Sequence, residues 1–210
     1  MTSSLATPRL SPLDWSRRRR ASDRGLSAAG RRAASRLDAW PDWHVVPLPE
    51  PTDWFLSNRK PADQAGFLAI GPGGVFAVTV LDHGRSRVLL AGDVVQISGR
   101  RPPYIREARR AAKRASNALS AAVKTSVPVV PVLALVGSGP VTYYGLPKDC
   151  LVTTYQELDL VLAYRGERIT PTTAQKLSVV AQHPETWRTA DQYRWYPYGT
   201  QAADKTSWRR

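Results

Sequence analysis

Between residues 26 and 40 the apolar positions Leu26, Ala29, Ala33, Leu37 and Trp40 recur at three- and four-residue steps, with Arg31, Arg32 and Arg36 between them. This is the period of an amphipathic helix and predicts one here. The pattern then changes. Residues 43–48 (WHVVPL) form a β-rich run that predicts a strand, and residues 49–63, rich in Pro, Asp and Asn, predict a loop. Four short β-branched segments follow at 67–70, 75–81, 87–90 and 94–97, separated by GPGG, DHGRS and AGD. These separators carry hairpin and turn chemistry, so an antiparallel meander is expected.

Pro102 and Pro103 end that region and open a helix over 105–123. Its apolar residues Ile105, Ala108, Ala112, Ala115, Leu119 and Ala122 make one stripe, and the opposite side carries Arg106, Arg109, Arg110, Lys113 and Arg114. Residues 129–136 and 151–154 read as strands and 155–164 as a helix. Thr170–Pro171 reads as an N-cap with proline at the first position of a helix ending near 182. Helices alternating with strands after a meander predict one α/β domain, a mixed and partly antiparallel sheet flanked by helices. No repeat with a period of 20–50 residues is visible. The organisation expected is a basic arm over 1–20 without hydrophobic periodicity, a domain over 21–187, and a basic, aromatic tail over 188–210.

A chain of 210 residues with 42% hydrophobic content can bury one core. With Cys150 as its one cysteine it can form no internal disulfide, and no CxxC or Cys/His cluster offers a structural zinc site. A reducing compartment, the cytoplasm, suits it. Ser16 and the four arginines Arg17, Arg18, Arg19 and Arg20 suggest a twin-arginine export signal, but no uninterrupted apolar segment follows them. The longest apolar stretch, 127–136, is interrupted by proline and suits a buried strand, so no membrane span is expected.

The order of elements, the segment IGPGGVFAV at 70–78, the helix opening at Pro102, Tyr104 and Arg106, and Trp187 as a closing residue together resemble the bacterial nuclease-related domain (NERD) family over roughly residues 25–187. The resemblance implies a restriction-endonuclease-like fold similar to that of the PD-(D/E)xK phosphodiesterases. That chemistry uses carboxylates to hold Mg²⁺ or Mn²⁺ and a lysine to organise the attacking water.

The motif positions depart from the family's pattern. Where its Asp-x-Asp-His-Leu is expected, counting back from Gly71 finds Gln64, Ala65, Gly66, Phe67 and Leu68. Where its (D/E/N)xK is expected stand Thr79, Val80 and Leu81, and where a Gly-Glu is expected on the first helix stand Gly30 and Arg31. Gly66, Thr79, Leu81 and Arg31 supply neither an oxygen ligand of the required charge nor the lysine, so the expectation is a pseudo-nuclease with no metal or other cofactor. A competing reading keeps activity through migrated ligands drawn from Asp63, Asp82, His83 and Glu107. For Asp82 and His83 a solvated DHG turn is the simpler account. There is no GxxxxGK[ST], Ser138 lacks a G-x-S-x-G elbow, GSGPVTYYG from Gly137 reads as a strand-end turn, and His44, His83 and His183 share no metal spacing.

Charge adds a partner class. The chain carries 30 Lys and Arg against 17 Asp and Glu, a net charge of +13, and nine arginines against two aspartates within residues 1–36 place a surplus of seven at that end. Such an excess draws polyanions. Arg106, Arg109, Arg110, Lys113 and Arg114, spaced by helical steps that set side chains about 5–6 Å apart, are candidates for following the phosphates of DNA or RNA, with Arg17, Arg18, Arg19 and Arg20 as further contacts. A solvated helix face explains the same residues. Tyr193, Arg194, Trp195, Tyr196, Tyr198, Trp208, Arg209 and Arg210 interleave rings with cations as single-strand binders do, or as a tail folded on the domain would. Three readings therefore stand: a non-catalytic nucleic-acid-binding or interaction module, an active metal-dependent nuclease with displaced ligands, and a platform docked on an anionic membrane or a protein through the basic arm.

Overall fold

The computed structural model describes residues 28–49 and 65–192. The expected arm with Arg17, Arg18, Arg19 and Arg20, the loop from 50 to 63 with Asp63, Gln64, and the aromatic stretch from Tyr193 onward lie outside the described residues.

The centre of the fold is a hairpin. Strands β1 (His44–Pro47), β2 (Ala65–Gly71) and β3 (Gly74–Asp82) pair antiparallel in sequence order, and the β2–β3 ladder runs from Ala65↔Val80 to Gly71↔Gly74. Its turn needs glycine for two reasons. Gly74 sits at φ +121°, in the region that side chains rarely adopt, and a Cβ on Gly71 would lie 2.3 Å from the Trp43 indole. Trp43 also meets Phe76 at a centroid distance of 5.9 Å, so the indole is clamped between the turn and the core.

Strand β3 is buried on both faces from Val75 to Leu81 and reads as a continuous apolar run. Its far edge is taken by β6 (Val129–Val136), parallel from Val75↔Val129 to Asp82↔Val136, and β6 is flanked in parallel by β8 (Leu151–Thr154). The sheet order is β1-β2-β3-β6-β8. One face packs Phe67, Phe76, Val78, Val80 and Ala134 against Ala33 and Leu37 near helix α1 (Ala28–Ser35), and against Leu158 and Leu162 of α3 (Leu158–Ala163). The other packs Leu68, Ile70 and Ala77 against α2 (Tyr104–Val123) and α4 (Pro171–Gln182). Alanines at 108, 112, 115 and 118 are all buried and let α2 approach the sheet closely.

The mixed α/β class holds, and several local expectations are corrected. The meander divides after β3. Strands β4 (Val88–Ala91) and β5 (Val94–Ile97) form their own hairpin and leave the main sheet, because β6 already occupies the edge of β3. They join β7 (Val141–Gly145), inside the segment expected to be a turn, in a three-stranded sheet of order β5-β4-β7 with β7 parallel to β4. The first helix tightens into a 3-10 turn over Arg36–Ala39, and that change of period leaves Trp40 at 38% exposure instead of on the core stripe. Residues 155–157 turn before α3 begins, with the Tyr155 amide donating to the Leu135 carbonyl. The chain past Arg188 stays helical, since α5 spans Pro184–Gln192. Trp187 within it is buried and donates from Nε1 to the Ala181 carbonyl at 2.8 Å.

Thr170 caps α4 as expected, its hydroxyl accepting from the Thr173 amide at 3.2 Å. Ala122, expected on the α2 stripe, is exposed at the helix end, which stops at Lys124 with φ +55°. No helix among the described residues is long and apolar enough to cross a membrane.

Candidate functional site

Of the four positions at which the nuclease-related resemblance expects catalytic groups, the fold brings three to one face. Gly66 and Thr79 are cross-strand partners in the β2–β3 ladder, and Leu81, two residues beyond Thr79, points to the same side. That side is the face covered by α2 and the small sheet. Leu81 is 1% exposed and packs in the cluster that contains Val88, Leu90, Tyr104, Ile105 and Ala108. Thr79 is 7% exposed. A Cβ at position 66 would already lie 3.3 Å from the Val78 carbonyl oxygen and 3.4 Å from Leu48 Cδ1.

A divalent ion needs several oxygen donors and water around it, whereas these positions offer no side chain at Gly66, one hydroxyl at Thr79 and a buried aliphatic group at Leu81. Moving the alignment by one residue does not change the chemistry. The neighbouring positions Phe67, Val78 and Val80 turn to the opposite face and lie in the other apolar cluster. Arg31 is not part of the group at all, because α1 packs on that opposite face and Arg31 is exposed.

Of the residues named for a displaced metal site, Asp82 and His83 have other engagements, and Asp63 lies outside the described residues. The Asp82 carboxylate accepts from the Gly84 amide at 3.0 Å, capping its own turn, with Gly84 at φ +58°. His83 is half-buried, with Nε2 2.7 Å from the Tyr104 hydroxyl and the two rings 5.5 Å apart. It therefore anchors the first turn of α2 to the end of β3. Among the described residues no group of three or more His, Cys, Asp or Glu is arranged to hold a metal ion. Cys150 is buried, and burial pushes its thiol up to about 11, so it stays protonated and is a poor nucleophile at neutral pH.

The five cations of α2 separate into two sets. Arg109 lays its guanidinium fork on Asp93 in the β4–β5 turn, with Nη1 at 2.5 Å and Nη2 at 2.8 Å from the carboxylate oxygens. This hydrogen-bonded pairing holds the Asp93 carboxyl below its ordinary range and raises Arg109. Arg114 donates to the Pro49 carbonyl and ties the helix to the chain that leaves β1. Arg109 and Arg114 thus have structural duties the sequence pattern did not reveal, since both partners are distant along the chain. Arg106, Arg110 and Lys113 remain exposed at i, i+4 and i+7, one stripe along two turns of a buried-backed helix. Such a stripe presents positive charge on a rigid rod, which suits a run of phosphates.

Sequence reasoning passed over Tyr143 and Tyr144 of β7, which are 46% and 75% exposed. Their signal was present in VTYYG, a β-branched and aromatic run, but the preceding GSGP drew attention to a turn. Comparison with family models, with curated proteins and with solved structures finds no match for this chain.

Proposed function

We propose that this chain is a nuclease-related scaffold that has lost nuclease chemistry and serves as a non-catalytic nucleic-acid-binding module. The observation that carries the binding half is the exposed Arg106, Arg110 and Lys113 stripe on α2. The non-catalytic half is supported by Gly66, Thr79 and Leu81, which share one face and bring no carboxylate or lysine to it, Leu81 packing there in apolar core. Arg109 and Arg114 frame the stripe by holding the helix in place, and Arg17, Arg18, Arg19 and Arg20 add charge that can engage the same polyanion.

The test is a purified full-length chain on labelled single- and double-stranded DNA and RNA, with Mg²⁺, Mn²⁺ or chelator, reading retention and cleavage together. The expected result is retention that weakens steeply between ~50 and ~200 mM salt and no cleavage under any metal condition. Binding indifferent to salt would overturn the electrostatic reading. Chelator-sensitive cleavage that disappears in an Asp82→Ala, Glu107→Ala double variant would overturn the non-catalytic one.

A further inference from the structure

The second sheet presents exposed tyrosines and is tied to the helix that carries the cationic stripe. In β7, Thr142, Tyr143, Tyr144 and Gly145 are all exposed, and the strand forms one edge of the β5-β4-β7 sheet. Its register against β4 breaks: Leu90 faces Tyr143 but the next residue, Ala91, faces Gly145, so Tyr144 is an extra residue in a bulge. Bulges re-aim side chains, and this one leaves Tyr144 75% exposed with Tyr143 at 46% beside it. An aromatic ring held on a strand and turned to solvent has a flat face and few rotamers, so little entropy is lost when something stacks on it.

The position of this edge relative to α2 is fixed by hydrogen bonds. The Gly92 amide donates to the Gly145 carbonyl at 3.1 Å, joining the end of β7 to the β4–β5 turn. The next residue of that turn, Asp93, is held by the Arg109 fork. Arg110 and Arg106 flank this anchor on the exposed side of the same helix. The β4–β5 turn therefore links the end of the tyrosine-bearing strand to the helix that carries the cations, and the Asp93 charge in that turn is matched by Arg109.

We infer that Tyr144, with Tyr143, is a base-stacking platform for a single-stranded nucleic acid whose phosphates follow Arg106, Arg110 and Lys113. The inference rests on the nucleic-acid-binding reading above and adds a choice of strandedness. Bases in a duplex are stacked on one another and offer no face to a tyrosine, whereas an open strand does. The cations recruit any polyanion, and the rings select the one whose bases are free. Burial, and then the nearby Glu157, raise the Tyr143 phenol above its ordinary value.

The experiment is fluorescence anisotropy on the full chain with labelled oligothymidine and with a duplex of equal length, for the wild type, Tyr144→Ala, Tyr144→Trp and an Arg110→Ala, Lys113→Ala pair. Tyr144→Ala is expected to weaken single-strand binding by roughly tenfold, in keeping with the loss of one stacked base, and to leave duplex binding unchanged. Tyr144→Trp is expected to keep the single-strand affinity, and the cation pair to lose affinity for both probes. Equal loss on both probes, or no loss, in Tyr144→Ala would overturn the stacking platform while leaving the cationic binding reading intact. Failure of the wild type to retain either probe would sink both. A dimer formed without nucleic acid and broken by Tyr144→Ala in sedimentation would instead assign the β7 edge to a second copy of the chain and overturn the inference. Because Tyr144 is so exposed, an unchanged thermal melt of the variants separates binding loss from misfolding.

Discussion

Single residues decide whether the central hairpin closes. Gly71 has the Trp43 indole where its Cβ would be, and Gly73 has the Leu162 carbonyl oxygen 2.6 Å from its own would-be Cβ. Gly71→Ala must displace a ring that is itself packed on Phe76, so it is expected to destabilise by about 1–3 kcal/mol, read from the urea midpoint at unchanged slope. A Trp43→Leu background should recover part of that loss in a double-mutant cycle, which a general backbone effect at position 71 would not do. Asp93 acts at the same scale through charge. Its carboxyl is held below the ordinary 3.8 by Arg109, so the contact stabilises the fold above that value and is lost as pH falls through the lower folded value. Asp93→Asn is therefore expected to lower the neutral-pH melting temperature slightly and to flatten the fall seen below about pH 4, the unfolded range of an aspartate. A pH-melting profile that stays parallel to wild type would show the pair to be idle.

Elements are joined by contacts that local patterns do not contain. Arg36, in the 3-10 turn, reaches Asp159 at the start of α3, 123 residues away, with Nη2 at 3.1 Å from Oδ1. Asp159 is 8% exposed, so removing its partner leaves a nearly buried carboxylate with less compensation. Arg36→Ala is expected to cost about 1–3 kcal/mol, more than the roughly 1 kcal/mol typical of losing a cap such as that in Thr170→Ala. Chemical denaturation of the two variants side by side checks the order. This contrast also explains which parts of the fold were legible beforehand. The Thr170 cap, the Ile105 to Leu119 stripe and the β2–β3 hairpin are written in neighbouring residues, and they sit where the pattern put them. The departure of β4 and β5 into a second sheet was not legible, because it depends on β6 taking the edge of β3 from almost fifty residues downstream. The candidate site divides in the same way. The absence of acids at Gly66, Thr79 and Leu81 could be read directly, while the diversion of Arg109 to Asp93 and of Arg114 to Pro49, and the bulge that exposes Tyr144, required the three-dimensional arrangement.

At the scale of the whole molecule the question is how a net charge of +13 is spent. Counterion release makes the logarithm of a duplex affinity fall with the logarithm of salt by about 0.9 for each phosphate neutralised, and about 0.7 for a single strand. Three exposed cations on one helix can therefore account for a slope of roughly 2 to 3 in magnitude. Replacing Arg106, Arg110 and Lys113 together by alanine is expected to reduce the measured slope by that amount. Deleting residues 1–20, with their run Arg17 to Arg20, should remove a further and separate part. If the two changes act on one continuous polyanion path, their effects on the slope add, since each removes its own released counterions. If the triple replacement leaves the slope unaltered and the deletion abolishes it, binding belongs to the terminal arginines alone and the helix stripe is only a solvated face. The same titration with single strand and duplex then connects to Tyr144, because a stacked base changes affinity without changing the slope. A variant at that position should therefore lower the single-strand line in parallel, leaving its steepness to the cations.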